Sequence, residues 1–438
     1  MNWQQLFASD IKEGNSPLRS PFDRDFDRII FSHPFRRLQD KTQVHPLPEH
    51  DFVHNRLTHS LEVSSVGRSL GRAAGQVILE RNTDLAKTLS ASDIGVVVAS
   101  ASLAHDIGNP PFGHSGETSI SDFFLNKESS LKTLFNEEEW ADLINFEGNA
   151  QGFRLIARSG NDGLKLTNST IGAFTKYPRP ALVKDSMKGR RSQKKFGYYQ
   201  SEAEVFHKLA GALELNSFSE VQWGRHPLAL LVEAADDICY HIIDLEDGCN
   251  LGLVSHQTTI DLLAPIIGKR FDAQKLHSIA SKKEQIGLLR ALTIGELIQQ
   301  CVQLFLDEEQ NILSSDFDKS LTDLIPAAEQ LLNIIGVSID NIYRSEKVVE
   351  TEAAGYRVIN GLLEVLVPAA LSVVQQNSKA KDKIYLRLLP TDTQNELKAA
   401  TTAYETMRVL LDFVSGLTDS YAVNLYRKIN GTSLPGIG

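Results

Sequence analysis

The chain has 438 residues, 42% of them apolar and 23% charged, with a formal net charge of −10 at pH 7. That length holds two or three domain-sized units or one large helical body with insertions, and the ordinary apolar fraction excludes a disordered chain. The acidic balance argues against wholesale binding to nucleic acid, although a local basic patch stays compatible with it. Cys239, Cys249 and Cys301 show no CxxC spacing and read as reduced thiols of a cytoplasmic protein. The start Met1-Asn2-Trp3-Gln4-Gln5 lacks the basic-then-apolar pattern of a secretion signal. No apolar run approaches the roughly 18 residues of a membrane span, so no membrane partner is expected.

Apolar residues at steps of three and four predict helices over 61–79, 91–105, 228–245, 286–305 and 404–413. Strand-like alternation is sparse, so the class is mainly α. In chain order, the first ligand-type residue is His59, within Asn55-Arg56-Leu57-Thr58-His59-Ser60. The next predicted helix runs into His105-Asp106-Ile107-Gly108-Asn109-Pro110-Pro111-Phe112-Gly113-His114-Ser115-Gly116-Glu117. Two prolines must stop that helix, which puts His105-Asp106 in its last turn and His114 and Glu117 beyond the turn.

Between about 161 and 199 the pattern loosens into Gly, Ser, Pro and basic residues. Lys184, Lys188, Arg190, Arg191, Lys194 and Lys195 form a positive island in an acidic protein. Ligand-type residues lie on both sides, so this segment reads as an inserted loop or small subdomain within a catalytic core spanning 1–254. A second helical region follows over 255–438, expected to pack on the core and not to fold as an independent domain. It ends in a polar tail rich in small residues.

The stretch Leu228-Ala229-Leu230-Leu231-Val232-Glu233-Ala234-Ala235-Asp236-Asp237-Ile238 sets carboxylates into an otherwise apolar helix. Buried carboxylates persist only when paired or metal-bound. Steps of four place Asp236, Tyr240 and Asp244 along one face, with Asp237 about 100° away. Two readings stay open for Asp236: a metal ligand, or a cap or ion pair with a basic partner. Two imidazoles and two carboxylates without thiolate suit one divalent cation such as Mn, Fe, Co, Ni or Zn and, less well, Mg. A metal-dependent hydrolase follows if the set converges.

The H…HD…D pattern resembles the HD-domain phosphohydrolases. The strings from Arg56 to Ser60, from His105 to His114 and from Glu233 to Ile238 are similar to the deoxyguanosinetriphosphate triphosphohydrolases in particular. So are Phe146-Glu147-Gly148-Asn149-Ala150-Gln151 and Ser415-Gly416-Leu417-Thr418-Asp419. The resemblance runs from about residue 20 to 428. It implies an HD-domain helical core in which His59, His105, Asp106 and Asp236 hold one metal ion, Mn or Mg first, with Fe, Co, Ni or Zn as alternatives. It assigns acid–base work to His114 and Glu117, and the reaction dGTP plus water to deoxyguanosine plus tripolyphosphate in control of the dNTP pool.

The resemblance also implies Gln43 near the sugar, Arg56 at the α-phosphate, and Tyr240 with Asp244 on the deoxyribose. Asn149, Lys176, Tyr177 and Lys195 would take the triphosphate, while Glu352 and Arg408 would reach base or phosphates from the C-terminal region, across a subunit boundary. Implied partners are dGTP or other dNTPs, further copies of the chain in a homo-oligomer such as a hexamer, and a single-stranded DNA or nucleotide regulator. Two competing readings are an HD-type phosphomonoesterase or cyclic phosphodiesterase, and a non-catalytic nucleotide sensor whose basic island contacts nucleic acid.

Overall fold

The structure, a computed structural model, describes residues 1–10, 19–44, 54–158, 163–185, 187 and 189–433. Lys188 of the basic island and the tail beyond residue 433 lie outside the described residues. Helices dominate, and the only sheet among the described residues is one antiparallel pair, β1 (Ser217–Ser219) with β2 (Gln222–Trp223).

Helix α1 (Arg56–Arg81) begins earlier than its apolar period because Asn55 and Thr58 close a reciprocal capping box. Such a cap is worth about 1 kcal/mol and fixes where the first turn starts. Arg56 and His59 therefore occupy that first turn, one above the other. Just upstream, Thr42 bridges Asn55 and the Arg56 amide donates to the Lys41 carbonyl, so the segment carrying Gln43 lies against the helix start.

Helix α2 (Ala91–Ala104) opens with a second capping box, Ser90 with Asp93. It stops one residue short of the expected end: His105 is its C-cap, and Asp106 lies in the turn beyond. Helices α1 and α2 approach closely along Gly67, Gly71 and Gly75. A Cβ at Gly67 would lie 2.4 Å from Ser102 Oγ, and one at Gly71 would lie 2.8 Å from Val98 Cγ2. This stripe without side chains brings the start of α1 beside the end of α2, and with them His59 beside His105.

Helix α3 (Gly113–Asn126) follows the Pro110-Pro111 turn, and α4 (Gly148–Ala157) packs across that turn. A Cβ at Gly108 would meet the Gly148 carbonyl and the Gly152 amide, each at 2.1 Å, so only glycine fits there. The expected insert is not loop throughout: it contains helix α5 (Asn168–Phe174) and a 3-10 turn at Arg191–Gln193. Helix α6 (Pro227–Asn250) is buried over most of its length, from Pro227 through Ala235 and again from Ile242 to Gly248.

Beyond it come α7 (Lys282–Asp307), a π-helical segment at Ile339–Tyr343, α8 (Glu346–Val374), α9 (Ala403–Ser415) and α10 (Asp419–Ile429). One apolar cluster joins α1, α2, α6 and α7; a second joins the inner face of α3 to α8, α9 and α10. The expectation that no apolar run nears membrane length is corrected by α8. Its 29 residues are long and apolar enough by composition to cross a membrane, but 61% of the apolar window is buried inside the protein. A core helix buried on several faces passes the same compositional test.

Candidate active site and metal centre

The ends of α1 and α2, the start of α3 and the middle of α6 surround one cavity of about 570 Å³. That volume lies within the range of nucleotide-sized ligand pockets. At its base, the His59 and His105 rings meet edge-on with centroids 5.3 Å apart. His59 Nε2 lies 3.3 Å and His105 Nε2 3.5 Å from Asp236 Oδ1. Ligand atoms of His59, His105 and Asp106 all fall within 4.8 Å of one another. Asp236 stands outside that tightest trio but reaches both imidazoles from α6.

Tautomer and valence fit a cation. His105 Nδ1 faces the Ser102 carbonyl at 2.7 Å, which only an N–H can do, so Nε2 presents its lone pair to the cluster. Asp106 Oδ1 accepts from Arg56 Nη1 at 2.8 Å and Asn109 Nδ2 at 2.5 Å. Its other oxygen, Oδ2, is buried with no hydrogen-bond partner among the described residues. An orphan carboxylate oxygen beside two imidazole nitrogens is a standing cost unless an ion satisfies it. Burial pushes the Asp106 carboxyl up, but the Arg56 charge first and then the neighbouring imidazoles outweigh it and hold the group below its usual range. For Asp236, burial is likewise outweighed by His105, the His59 hydrogen bond and Lys176, so both carboxylates are ionised. Asp237 turns away and accepts from Ser320 and Thr322 hydroxyls, each at 2.7 Å.

At the rim, His114 Nδ1 lies 2.8 Å from Glu117 Oε2, while the His114 side chain keeps 86% of its exposure. Glu117 Oε1 accepts from the Gly148 amide at 2.7 Å, anchoring the pair to the N-terminus of α4. Burial raises the Glu117 carboxyl, but the His114 hydrogen bond and the Lys195 charge pull it below the ordinary value.

The turn that aims His114 is built from the C-terminal region. Phe112 adopts φ +63°, a left-handed conformation rare for a bulky residue. Its amide donates to Asp419 Oδ1 at 3.0 Å, and Thr42 donates to Asp419 Oδ2 through amide and hydroxyl at 2.9 and 2.6 Å. The Phe112 ring lies against α8 so closely that a Cβ at Gly355 would sit 2.4 Å from it. Ser115 and Ser119 hydroxyls donate to the Glu352 and Tyr356 carbonyls at 2.6 and 2.8 Å.

The side of the cavity formed by the insert is cationic but paired. Lys176 Nζ and Arg191 Nε lie 3.2 and 2.7 Å from Glu233 Oε1, and Arg225 Nη1 lies 2.6 Å from Oε2. Burial raises Glu233, and these three cations overcome it, bringing the carboxyl down to about 2. Lys195 is held between Glu147 oxygens at 3.0 and 3.2 Å.

Most expected residues therefore line this one cavity: Gln43 and Arg56; His114 and Glu117; Asn149, Lys176, Tyr177 and Lys195; Tyr240 and Glu352. His59 is 2% exposed, behind Asp236. Two residues expected at the substrate do not reach the wall. Asp244 is shut off behind Tyr343, whose hydroxyl donates to its Oδ2 at 2.8 Å. Arg408 is 2% exposed and lies over the Tyr199 ring at 4.0 Å, because its position on α9 faces the interior beside Met407 and Leu411. Tyr343, Arg191, Glu147 and Glu233 line the cavity and were not singled out as site residues. Glu233 was findable as a carboxylate in apolar surroundings, and Glu147 only as part of the Phe146–Gln151 string. Tyr343 stacks on Tyr240 at 5.6 Å from a segment 103 residues downstream, and no local pattern announces it.

Residues 326–428 match the phosphohydrolase-associated domain. The chain is 38% identical over 99% of its length to the full deoxyguanosinetriphosphate triphosphohydrolase-like protein of Synechocystis sp.. It is 35% identical, again over 99% of itself and all of the relative, to the like-named protein of Pseudomonas aeruginosa. A deoxyguanosinetriphosphate triphosphohydrolase of Salmonella arizonae is 31% identical over 98% of the chain and 97% of its own length.

Proposed function

Since the chain belongs to the deoxyguanosinetriphosphate triphosphohydrolase family, we propose that it hydrolyses dGTP to deoxyguanosine and tripolyphosphate, in the cytoplasm, as part of dNTP pool control. A hydrolase dependent on a divalent cation follows from the family, and the substrate, the products and the residue roles extend that to this chain. The observation that carries it is the orphan Asp106 Oδ2 beside two imidazoles, in the same cavity as a separately held His–Glu pair.

His59, His105, Asp106 and Asp236 would hold the cation, Mn or Mg in this reading. When bound, it supplies a Lewis acid that neutralises charge developing on the α-phosphate. Arg56, fixed by Asp106, presents a guanidinium to the same phosphate. Water attacks the α-phosphorus, the bond to O5′ breaks, and O5′ leaves as the 5′-hydroxyl of deoxyguanosine. His114 moves the proton at Nε2, since Nδ1 is committed to Glu117. Glu117 orients the ring and stabilises its protonated form. Tyr240, backed by Tyr343, packs on the sugar where a ribose 2′-hydroxyl would need room. Lys176, Lys195 and Asn149 take the β- and γ-phosphates.

Incubation with dGTP and Mn or Mg, followed by chromatography, tests the reading. Deoxyguanosine with tripolyphosphate is the expected pair. Nucleoside mono- or diphosphate would place the chain with other HD phosphohydrolase chemistry and refute it.

A further inference from the structure

Glu147 is 6% exposed and forms part of the cavity wall. Its Oε1 accepts from Asn149 Nδ2 at 2.7 Å, and Lys195 Nζ lies 3.2 Å from Oε1 and 3.0 Å from Oε2. Two of the three groups suited to a polyphosphate are thus already engaged by this one buried carboxylate. Facing Glu147 are Glu117 from α3, Lys195 and Tyr177 from the insert, and Asn149 from α4. The Tyr199 hydroxyl holds its backbone carbonyl at 3.3 Å. Burial and the Glu117 charge already raise its carboxyl, against Lys195 and Asn149.

A polyphosphate arriving here meets two donors in use and an anion with nowhere to go. Once Lys195 turns to the phosphate, Glu147 would stay ionised beside both Glu117 and the ligand. Like charges crowded into a buried site cannot all remain ionised, and the weakest acid takes a proton.

Building on the triphosphohydrolase reading, we propose that Glu147 is a displaceable counter-ion: it holds Lys195 and Asn149 in the ligand-free protein, yields them to the polyphosphate, and takes up a proton from solvent as it does so. The proton returns to solvent when tripolyphosphate leaves, so no other co-reactant is needed. Polyphosphate affinity then rises as pH falls, by more than the ligand's own titration explains.

Calorimetry of tripolyphosphate binding, with matched Mg²⁺ throughout, tests this in two buffers of equal pH and different ionisation enthalpy. Wild type is expected to take up about one proton per site more than Glu147→Gln, which keeps an acceptor for Asn149. Glu147→Asp, still titratable, is expected to restore the uptake. Inhibition of dGTP turnover by tripolyphosphate should weaken with rising pH more steeply in wild type than in Glu147→Gln. Equal proton counts in wild type and Glu147→Gln, with tripolyphosphate released from dGTP by both, would overturn this inference alone. Neither binding nor release of tripolyphosphate by wild type would overturn the triphosphohydrolase reading and the inference with it.

Discussion

At the base of the cavity, His59, His105 and Asp106 stand within a turn of helix ends. On the insert side, Lys176, Lys195 and Arg191 hang on a long insert and are held by Glu233 and Glu147 from other parts of the chain. The base is rigid because a capping box and a glycine stripe fix backbone before any side chain is placed. The insert side is positioned by ion pairs, whose geometry depends on both partners and on what else enters the cavity. A permanent cation suits the first arrangement and an exchangeable polyanion the second.

The strongest way to break that contrast is to strip the base. Asp236→Ala is expected to lose bound metal and to cut turnover on the order of 10³-fold, while Asp237→Ala keeps the metal. Metal analysis after dialysis decides it, and equal loss in both variants would show that α6 presents both carboxylates to the ion.

Next in size is the rim. His114→Ala should keep the metal and lose about 10²-fold or more in turnover, with helical content unchanged. A rate within a few-fold of wild type would remove His114 from proton transfer.

The clip from the C-terminal region comes third. Asp419→Ala removes the acceptor for Phe112 and Thr42 and leaves half-buried donors unpaired, a cost of about 1 kcal/mol. Because that clip sets the strained turn before His114, kcat should fall roughly tenfold or more with metal content intact, a loss of about 1.4 kcal/mol in transition-state stabilisation. Lost stability with unchanged kcat would make Asp419 structural only.

The smallest effect concerns pH. Burial pushes the Asp244 carboxyl up to about 8, the Tyr343 hydroxyl bond notwithstanding. A folded value above the unfolded one means that the native state holds the proton longer, so this group's stabilisation is full below about pH 4. It is lost as pH rises toward about 8. Asp244→Asn should flatten the decline in urea midpoint across that window, and an unchanged slope would contradict the assignment.

Much of the base was legible because its causes are local. Pro110-Pro111 ends a helix wherever it occurs, so His105-Asp106 falls at a predictable helix end, whereas apolar periodicity starts α1 at 61 and misses the Asn55–Thr58 capping box that takes His59 into its first turn. The mainly α class followed from the same periodicity. What escaped depends on partners far along the chain. Arg408 has the composition of a phosphate ligand, but its place on α9 is decided by which face packs against Tyr199. Asp244 shares its helical stripe with Asp236 and Tyr240, yet Tyr343 closes over it from another segment. The pairing of Lys195 with Glu147 spans 48 residues, and no spacing rule reaches that far.

Turnover of dGTP in ¹⁸O-labelled water tests the central claim most directly. Attack at the α-phosphorus predicts one labelled oxygen in the released tripolyphosphate and none in deoxyguanosine. Label in the deoxyguanosine 5′-hydroxyl, or release of labelled monophosphate with a nucleotide, would contradict it.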